Sequence, residues 1–174
     1  MLLCVLGLEG CSSGGGPDTS GSETTASATG SEAAVIAAVG DGDSIRTTSG
    51  KKVRLLQIDA PELHGDCFGK AALSALRQLT PKGTSVTLVR DPDLDQIDRY
   101  GRLLRYVMVK GRNVNVALVR GGAASPYFFR NEKGRYAEEL LTAVKKARAE
   151  RLGYWGACPQ ARLNTGLGSI TGPG

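Results

Sequence analysis

The stretch Asp41–Ile58, DGDSIRTTSGKKVRLLQI, decides how the chain folds. Asp41-Gly42-Asp43 is a turn signal. Ser44–Thr48 then reads as a strand, Ser49-Gly50 turns the chain again, and Lys51–Ile58 reads as the next strand. In that strand Val53, Leu55 and Gln57 alternate with Arg54, Leu56 and Ile58, so Arg54, Leu56 and Ile58 are expected on one face. A charged arginine on such a face costs desolvation unless it meets an anion.

Outward from this stretch the pattern alternates between the two periods. Ala33–Val39 is apolar, contains β-branched residues and reads as a strand. Phe68–Leu79 reads as a helix with Ala72, Leu76 and Leu79 at helical spacing, ended by Pro81-Lys82-Gly83. Thr84–Arg90 and Leu103–Val109 read as strands. Asn115–Arg120 reads as a short helix stopped by Gly121-Gly122. Glu132–Leu152 is the longest expected helix, with Tyr136, Leu140, Val144 and Ala147 along one face. About five short strands, a helix after the third and helices at the end predict an α+β fold that is mainly a β-barrel. The five-stranded OB-fold is such a barrel and often binds oligonucleotides.

The 174 residues suit one compact domain plus tails. Four segments are expected: a signal segment at 1–11, a flexible linker at 12–34, a folded domain at 35–159 and a disordered tail at 160–174. Met1–Leu8, MLLCVLGL, is an apolar run too short to span a bilayer, and it fits the hydrophobic part of a signal peptide. Leu8-Glu9-Gly10-Cys11-Ser12 resembles the bacterial lipoprotein processing box, although Glu9 is unusual there. A lipid on Cys11, followed by a Ser/Gly/Thr-rich tether, would hold the domain near a membrane. An ordinary cleaved signal and a free secreted protein is the alternative, and either places the domain outside the cytoplasm. In an oxidising space Cys67 and Cys158 suggest one disulfide, with two free buried thiols as the plain alternative. One histidine and two scattered cysteines are too few ligands for zinc.

Charge is divided along the chain. Every Lys and Arg lies at or after Arg46, and from Val35 onward 22 basic residues face 13 acidic ones. Such a domain suits a polyanion, with phosphates the first candidate; a soluble basic surface is the bland alternative. Charge also gathers in three short segments: Asp41-Gly42-Asp43-Ser44, Arg54–Glu62 (RLLQIDAPE) and Asp98-Arg99-Tyr100-Gly101-Arg102. Carboxylates at a strand end and in neighbouring turns, brought to one spot, repel unless a cation sits between them. Hard oxygen donors favour Ca²⁺ or Mg²⁺.

These three segments, in this order, resemble the active site of the staphylococcal nuclease family, the thermonucleases. That family carries an Asp-Gly-Asp-Thr turn, an Arg-Leu-x-x-x-Asp-x-Pro-Glu strand end and a Tyr-Gly-Arg loop, and the similarity covers roughly Val35 to Trp155. The resemblance implies a calcium-dependent endonuclease acting on DNA, RNA or both. It gives Asp43, Asp59 and the backbone carbonyl of Ala60 as calcium ligands, Glu62 as general base, and Arg54 and Arg102 as phosphate-gripping groups. Tyr100 is expected to shape a base pocket, and Tyr127 or Phe128 to stack on a base. Asp41 is expected to form the turn rather than bind metal, Arg99 and Arg105 to be surface charges, and His64 to lie exposed in a loop. No protein partner is implied, and a monomer is expected. The competing readings are a catalytically silent OB-type nucleic-acid-binding domain and a tethered envelope protein meeting anionic lipid or wall polymer.

Overall fold

A computed structural model describes residues 30–174. The expected signal segment, Cys11 and the expected linker up to Thr29 lie outside the described residues. In chain order the elements are β1 (Ser31–Val39), β2 (Ser44–Thr47), β3 (Lys52–Leu55), β4 (Ile58–Asp59), α1 (Gly69–Leu79), β5 (Ser85–Val89), β6 (Leu103–Val109), β7 (Arg112–Asn113), α2 (Val114–Arg120), β8 (Ser125–Pro126), α3 (Ala137–Ala149), α4 (Tyr154–Ala157), β9 (Arg162–Asn164) and β10 (Gly168–Ile170). A single 3-10 turn, Phe129–Asn131, precedes α3.

Strands β1, β2, β3, β6 and β5 close into a five-stranded mixed barrel. The long β1 serves two neighbours: its first half pairs with β5 and its second half with β2, and the register shifts between Ile36 and Ala38. That irregularity bends the strand around the barrel corner. The barrel closes through a parallel pairing of β3 with β6, in which Val53, Arg54 and Leu55 lie opposite Leu103, Leu104 and Arg105. Ile36, Val53, Leu55, Leu88 and Val107 fill the interior and are fully buried. Ala72 and Leu76 of α1 join the same core, as do Val119 of α2 and Leu140 and Val144 of α3. The expected mainly-β barrel with helices is therefore the observed one.

Three local expectations are corrected. The strand expected over Lys51–Ile58 breaks after Leu55, because Gln57 adopts a left-handed backbone with φ 60°. Alternation is lost there: Leu55 and Leu56 are both buried, followed by Gln57 and Ile58. The buried Gln57 side chain explains the break, since its amide donates to the Glu132 carbonyl at 2.8 Å. Its oxygen accepts from the Tyr106 hydroxyl at 3.1 Å and from the Gly134 N–H at 3.0 Å. Asn115, also fully buried, reinforces the kink by donating to the Leu56 carbonyl at 2.8 Å. The longest helix starts at Ala137 rather than Glu132, because the segment before it is held by Gln57 and by Asp91, whose Oδ2 accepts from the Arg135 N–H at 2.8 Å.

Ordered structure reaches into both the expected linker and the expected tail. Ser31–Ala34 belong to β1 and pair with β5. Residues 162–170 form an antiparallel hairpin, with Ser169 opposite Leu163, instead of a disordered tail. The hairpin gains order from tertiary contacts that composition does not reveal. Its base follows the bond between Cys67 and Cys158, whose Cα atoms lie 6.0 Å apart across a sequence separation of 91 residues. A cross-link closing a loop of that length contributes about 2–5 kcal/mol, chiefly by restricting the unfolded chain.

Candidate active site

The kink after Leu55 builds the site. Once the chain leaves the barrel, β4 pairs with β8, Asp59 opposite Ser125. The Arg54 side chain folds back along this turn and donates to the carbonyls of Leu55 at 3.2 Å and Ile58 at 2.7 Å. Its Nη2 then lies 2.9 Å from Asp43 Oδ2 and 2.7 Å from Asp59 Oδ1. Asp43 reaches the same point from the turn between β1 and β2. There Asp41 acts as the turn former, its Oδ1 accepting from the Asp43 N–H at 3.1 Å. Gly42 is required in this turn: a Cβ there would lie 2.6 Å from Ala60 Cβ and 2.9 Å from Ala72 Cβ.

Electrostatics follow from this burial. Asp43 is 7% exposed. Burial pushes its carboxyl up to about 7, against the lowering effect of Arg54 and with help from Asp41 and Asp59. Burial by itself would lower the Arg54 guanidinium, but Asp43 and Asp59 outweigh it and raise it above its ordinary value. The cluster is therefore an ion triad in which one carboxylate remains under-compensated, and further positive charge is favoured there.

The residues present fit a hard cation. Two carboxylates converge on a single cationic nitrogen, and the Ala60 N–H donates to Asp43 Oδ2 at 3.3 Å, which places the Ala60 backbone beside them. Among the described residues no group of three or more His, Cys, Asp and Glu side chains gathers closely enough to cage a metal. The carboxylates of Asp43 and Asp59 could supply part of the shell of a hard cation, with the remaining positions left to other oxygen donors.

Arg54 and Asp59 open onto a cavity of about 550 Å³, which Tyr100, Arg102, Tyr127 and Phe129 also line. Arg102 is held by Asp98: Nε donates to Oδ2 at 2.7 Å, while the backbone N–H groups of Tyr100 and Arg102 each donate to Oδ1 at 2.9 Å. Burial opposes the ionised form of Asp98, but these hydrogen bonds from Arg102 and Tyr100 prevail and lower its pKa. Tyr100 is 66% exposed, and the guanidinium carbons of Arg99 and Arg102 sit 4.8 and 5.4 Å from its ring centroid. The Arg54 guanidinium sits 5.9 Å from the Tyr127 ring centroid.

Phe128 falls elsewhere, and Glu62 lies off the cavity wall. Phe128 is 2% exposed and belongs to the core, while its neighbour Phe129 is 51% exposed and lines the cavity. The reason is local: Phe128 N–H donates to the Thr165 carbonyl at 2.7 Å, and the following turn, with Arg130 and Asn131 at positive φ, swings Phe129 outward. Glu62 is exposed and lies outside the cavity lining, its N–H donating to Asp66 Oδ2 at 2.9 Å. His64 is exposed in the same loop. Arg105 is a buried residue rather than a surface charge, its Nη1 donating to the Leu104 carbonyl at 2.6 Å and the Gln96 carbonyl at 3.1 Å. Sequence reasoning gave no role to Gln57, Asp98 and Asn115; a polar residue inside a strand-like run was the available signal for Gln57.

The two phenylalanines are separable by experiment. Phe129→Ala is expected to weaken oligonucleotide binding by about 1–3 kcal/mol at unchanged stability. Phe128→Ala is expected to cost about 3–5 kcal/mol in urea unfolding. The opposite assignment of effects would place Phe128, not Phe129, against the bases.

The chain matches the family described as staphylococcal nuclease homologue over residues 52–157. It is 32% identical over 123 residues to Endonuclease YncB of Bacillus subtilis (strain 168), a match covering 66% of this chain and 57% of YncB. It is 32% identical over 147 residues to Endonuclease YhcR of the same organism, covering 74% of this chain and 12% of YhcR. A thermonuclease of Staphylococcus intermedius is 31% identical over 134 residues, covering 71% of this chain and 76% of that protein. The chain thus spans little more than half of YncB and a small part of YhcR. The matched region holds Arg54, Asp59 and Arg102, and by that match the chain belongs to the staphylococcal nuclease homologue family.

Proposed function

We propose that this protein is a calcium-dependent endonuclease that hydrolyses phosphodiester bonds of DNA, RNA or both. The observation that carries the reading is the Arg54 guanidinium held between the carboxylates of Asp43 and Asp59 on the wall of a cavity that also takes Arg102. Calcium bound by Asp43, Asp59 and the Ala60 carbonyl would polarise a phosphoryl oxygen and help place the attacking water. Arg54 and Arg102 stay protonated and offer paired donors to phosphate oxygens on which charge builds during attack. Glu62, an exposed carboxylate three residues beyond Asp59 and outside the cavity lining, is the general base that the family resemblance implies, and there it would accept the proton from water. As water adds to phosphorus, the ester P–O bond breaks and the departing oxygen takes a proton from solvent. Tyr100 and Phe129 offer faces on which bases stack.

Two features support work outside the cytoplasm: the apolar leader Met1–Leu8 and the bond between Cys67 and Cys158. A lipid on Cys11 would tether the enzyme there. The chemistry of the site needs no second copy of the chain.

The test is cleavage of plasmid DNA and of RNA with calcium or with a calcium chelator. Calcium-dependent cleavage is expected, falling by about 10²–10³ in Glu62→Gln and in Arg102→Ala at unchanged melting temperature. Binding without cleavage would instead make this a silent OB-type binding domain. Full activity in both variants would remove these roles.

A further inference from the structure

We propose that the C-terminal hairpin is a working part of the active site and that Ser169 is a positioning residue for Asp59. The inference rests on the nuclease reading above and deepens it.

Ser169 donates to Asp59 Oδ2 twice, from its backbone N–H at 2.9 Å and from its hydroxyl at 2.9 Å. Arg54 holds the other oxygen, Oδ1, at 2.7 Å. The two oxygens of Asp59 are thus served from opposite ends of the domain, by the barrel strand β3 and by β10. The hairpin is shaped around this carboxylate. Gly168 has φ +85°, and a Cβ there would lie 2.4 Å from Asp59 Oδ2. Only glycine lets the backbone approach so closely.

The hairpin is also fastened to the rest of the site. The Thr165 carbonyl accepts from the Phe128 N–H at 2.7 Å, between Tyr127 and Phe129, which both line the cavity. The Gly172 carbonyl accepts from the Cys67 N–H at 2.8 Å, and the Gly174 N–H donates to the Gly65 carbonyl at 2.9 Å. Both contacts fall on the loop that follows Glu62, beside the disulfide. Leu167, at the hairpin tip, is 71% exposed and lines the cavity.

These contacts fix the direction in which Asp59 faces. Two donors on Oδ2 lock the carboxylate rotamer and keep Oδ1 turned toward Asp43. When Arg54 grips a phosphate, Oδ1 is released toward a cation while Ser169 keeps the carboxylate aimed. Groups that orient a metal-binding side chain typically contribute 10–100-fold in metal affinity.

Calorimetric titration of the full chain with calcium at pH 8 tests this. Ser169→Ala is expected to bind calcium about 10-fold more weakly, with its calcium-free melting temperature unchanged. Ser169→Thr, which keeps the hydroxyl, is expected to restore the wild-type affinity. In cleavage assays the alanine variant loses kcat at limiting calcium, recovers it at high calcium, and keeps its KM for DNA. Equal calcium affinity in wild type and Ser169→Ala would overturn the positioning role. So would tighter binding in the variant, which would make the hairpin an occluding element. A threonine variant that binds as weakly as alanine would overturn it as well, by tracing the loss to general disturbance. Wild-type protein that takes up no calcium would overturn the nuclease reading itself, and this inference with it.

Discussion

Arg54→Ala is expected to lose cleavage by at least about 10²–10³ and also to lose stability by about 3–5 kcal/mol at pH 8. The family resemblance makes Arg54 a phosphate-gripping group. The structure gives it a second role. Arg54 has a side-chain exposure of 14%, spans the carbonyls of Leu55 and Ile58, and pairs with two carboxylates. Its removal leaves Asp43 buried beside Asp59 with no counterion. The stability loss should shrink toward pH 5, where Asp43 takes up a proton and needs no partner. Arg54→Lys should recover only part of both effects, since one ammonium cannot make all four contacts. Urea unfolding at pH 8 and pH 5 measures this; equal stability of wild type and Arg54→Ala at pH 8 would contradict it.

The second large effect runs the opposite way. Asp43→Asn is expected to abolish calcium binding and cleavage while stabilising the calcium-free protein. Burial raises the Asp43 carboxyl from 3.8 to about 7. Between those values the folded state binds more protons than the unfolded chain, so stability declines as pH rises through this window. The stabilising contribution is fully present below about pH 4 and is gone above about pH 7. A shift of this size corresponds to about 4 kcal/mol. Asparagine should recover about 1–3 kcal/mol of it at pH 8, because Arg54 then keeps only Asp59 as partner. The same linkage requires calcium uptake to release a proton below about pH 7, so affinity should fall as pH is lowered through that value. Thermal unfolding and calcium titration of Asp43→Asn across pH 5 to 8 check both halves. A less stable Asp43→Asn at pH 8 would show that the carboxylate is fully compensated by Arg54.

How far the sequence carries depends on whether order is local. Leu103–Val109 reads as a strand from its own residues and is that strand. Helix α1 starts one residue after its expected first residue, because Phe68 adopts a left-handed backbone at the entry. Where a tertiary contact overrides the local pattern, the reading fails. Gln57 sits in an unbroken strand-like run, yet its buried partners on Tyr106, Gly134 and Glu132 turn the chain and create the pocket for Arg54. Phe128 and Phe129 are chemically equivalent in sequence, and only the bond from Phe128 to Thr165, far along the chain, decides which one faces the cavity. The Gly-rich C-terminus has no local reason to order; it does so because Asp59 offers Ser169 an acceptor.

The candidate site was legible to a similar degree. The first two charged segments meet at Arg54, through Asp43 and Asp59, and the third brings Arg102 to the same cavity. Glu62 is the member whose place the fold does not fix, since it lies on an exposed turn beyond the last paired strand residue.

The central claim is that Asp43 and Asp59 form one cation site beside Arg54. A crystal of the protein grown with calcium, and its anomalous difference map, tests this most directly. A calcium peak shared by the carboxylates of Asp43 and Asp59 is expected, with the Arg54 guanidinium displaced toward the cavity. A calcium-saturated crystal with no peak there, and Arg54 still bridging the two carboxylates, would contradict it.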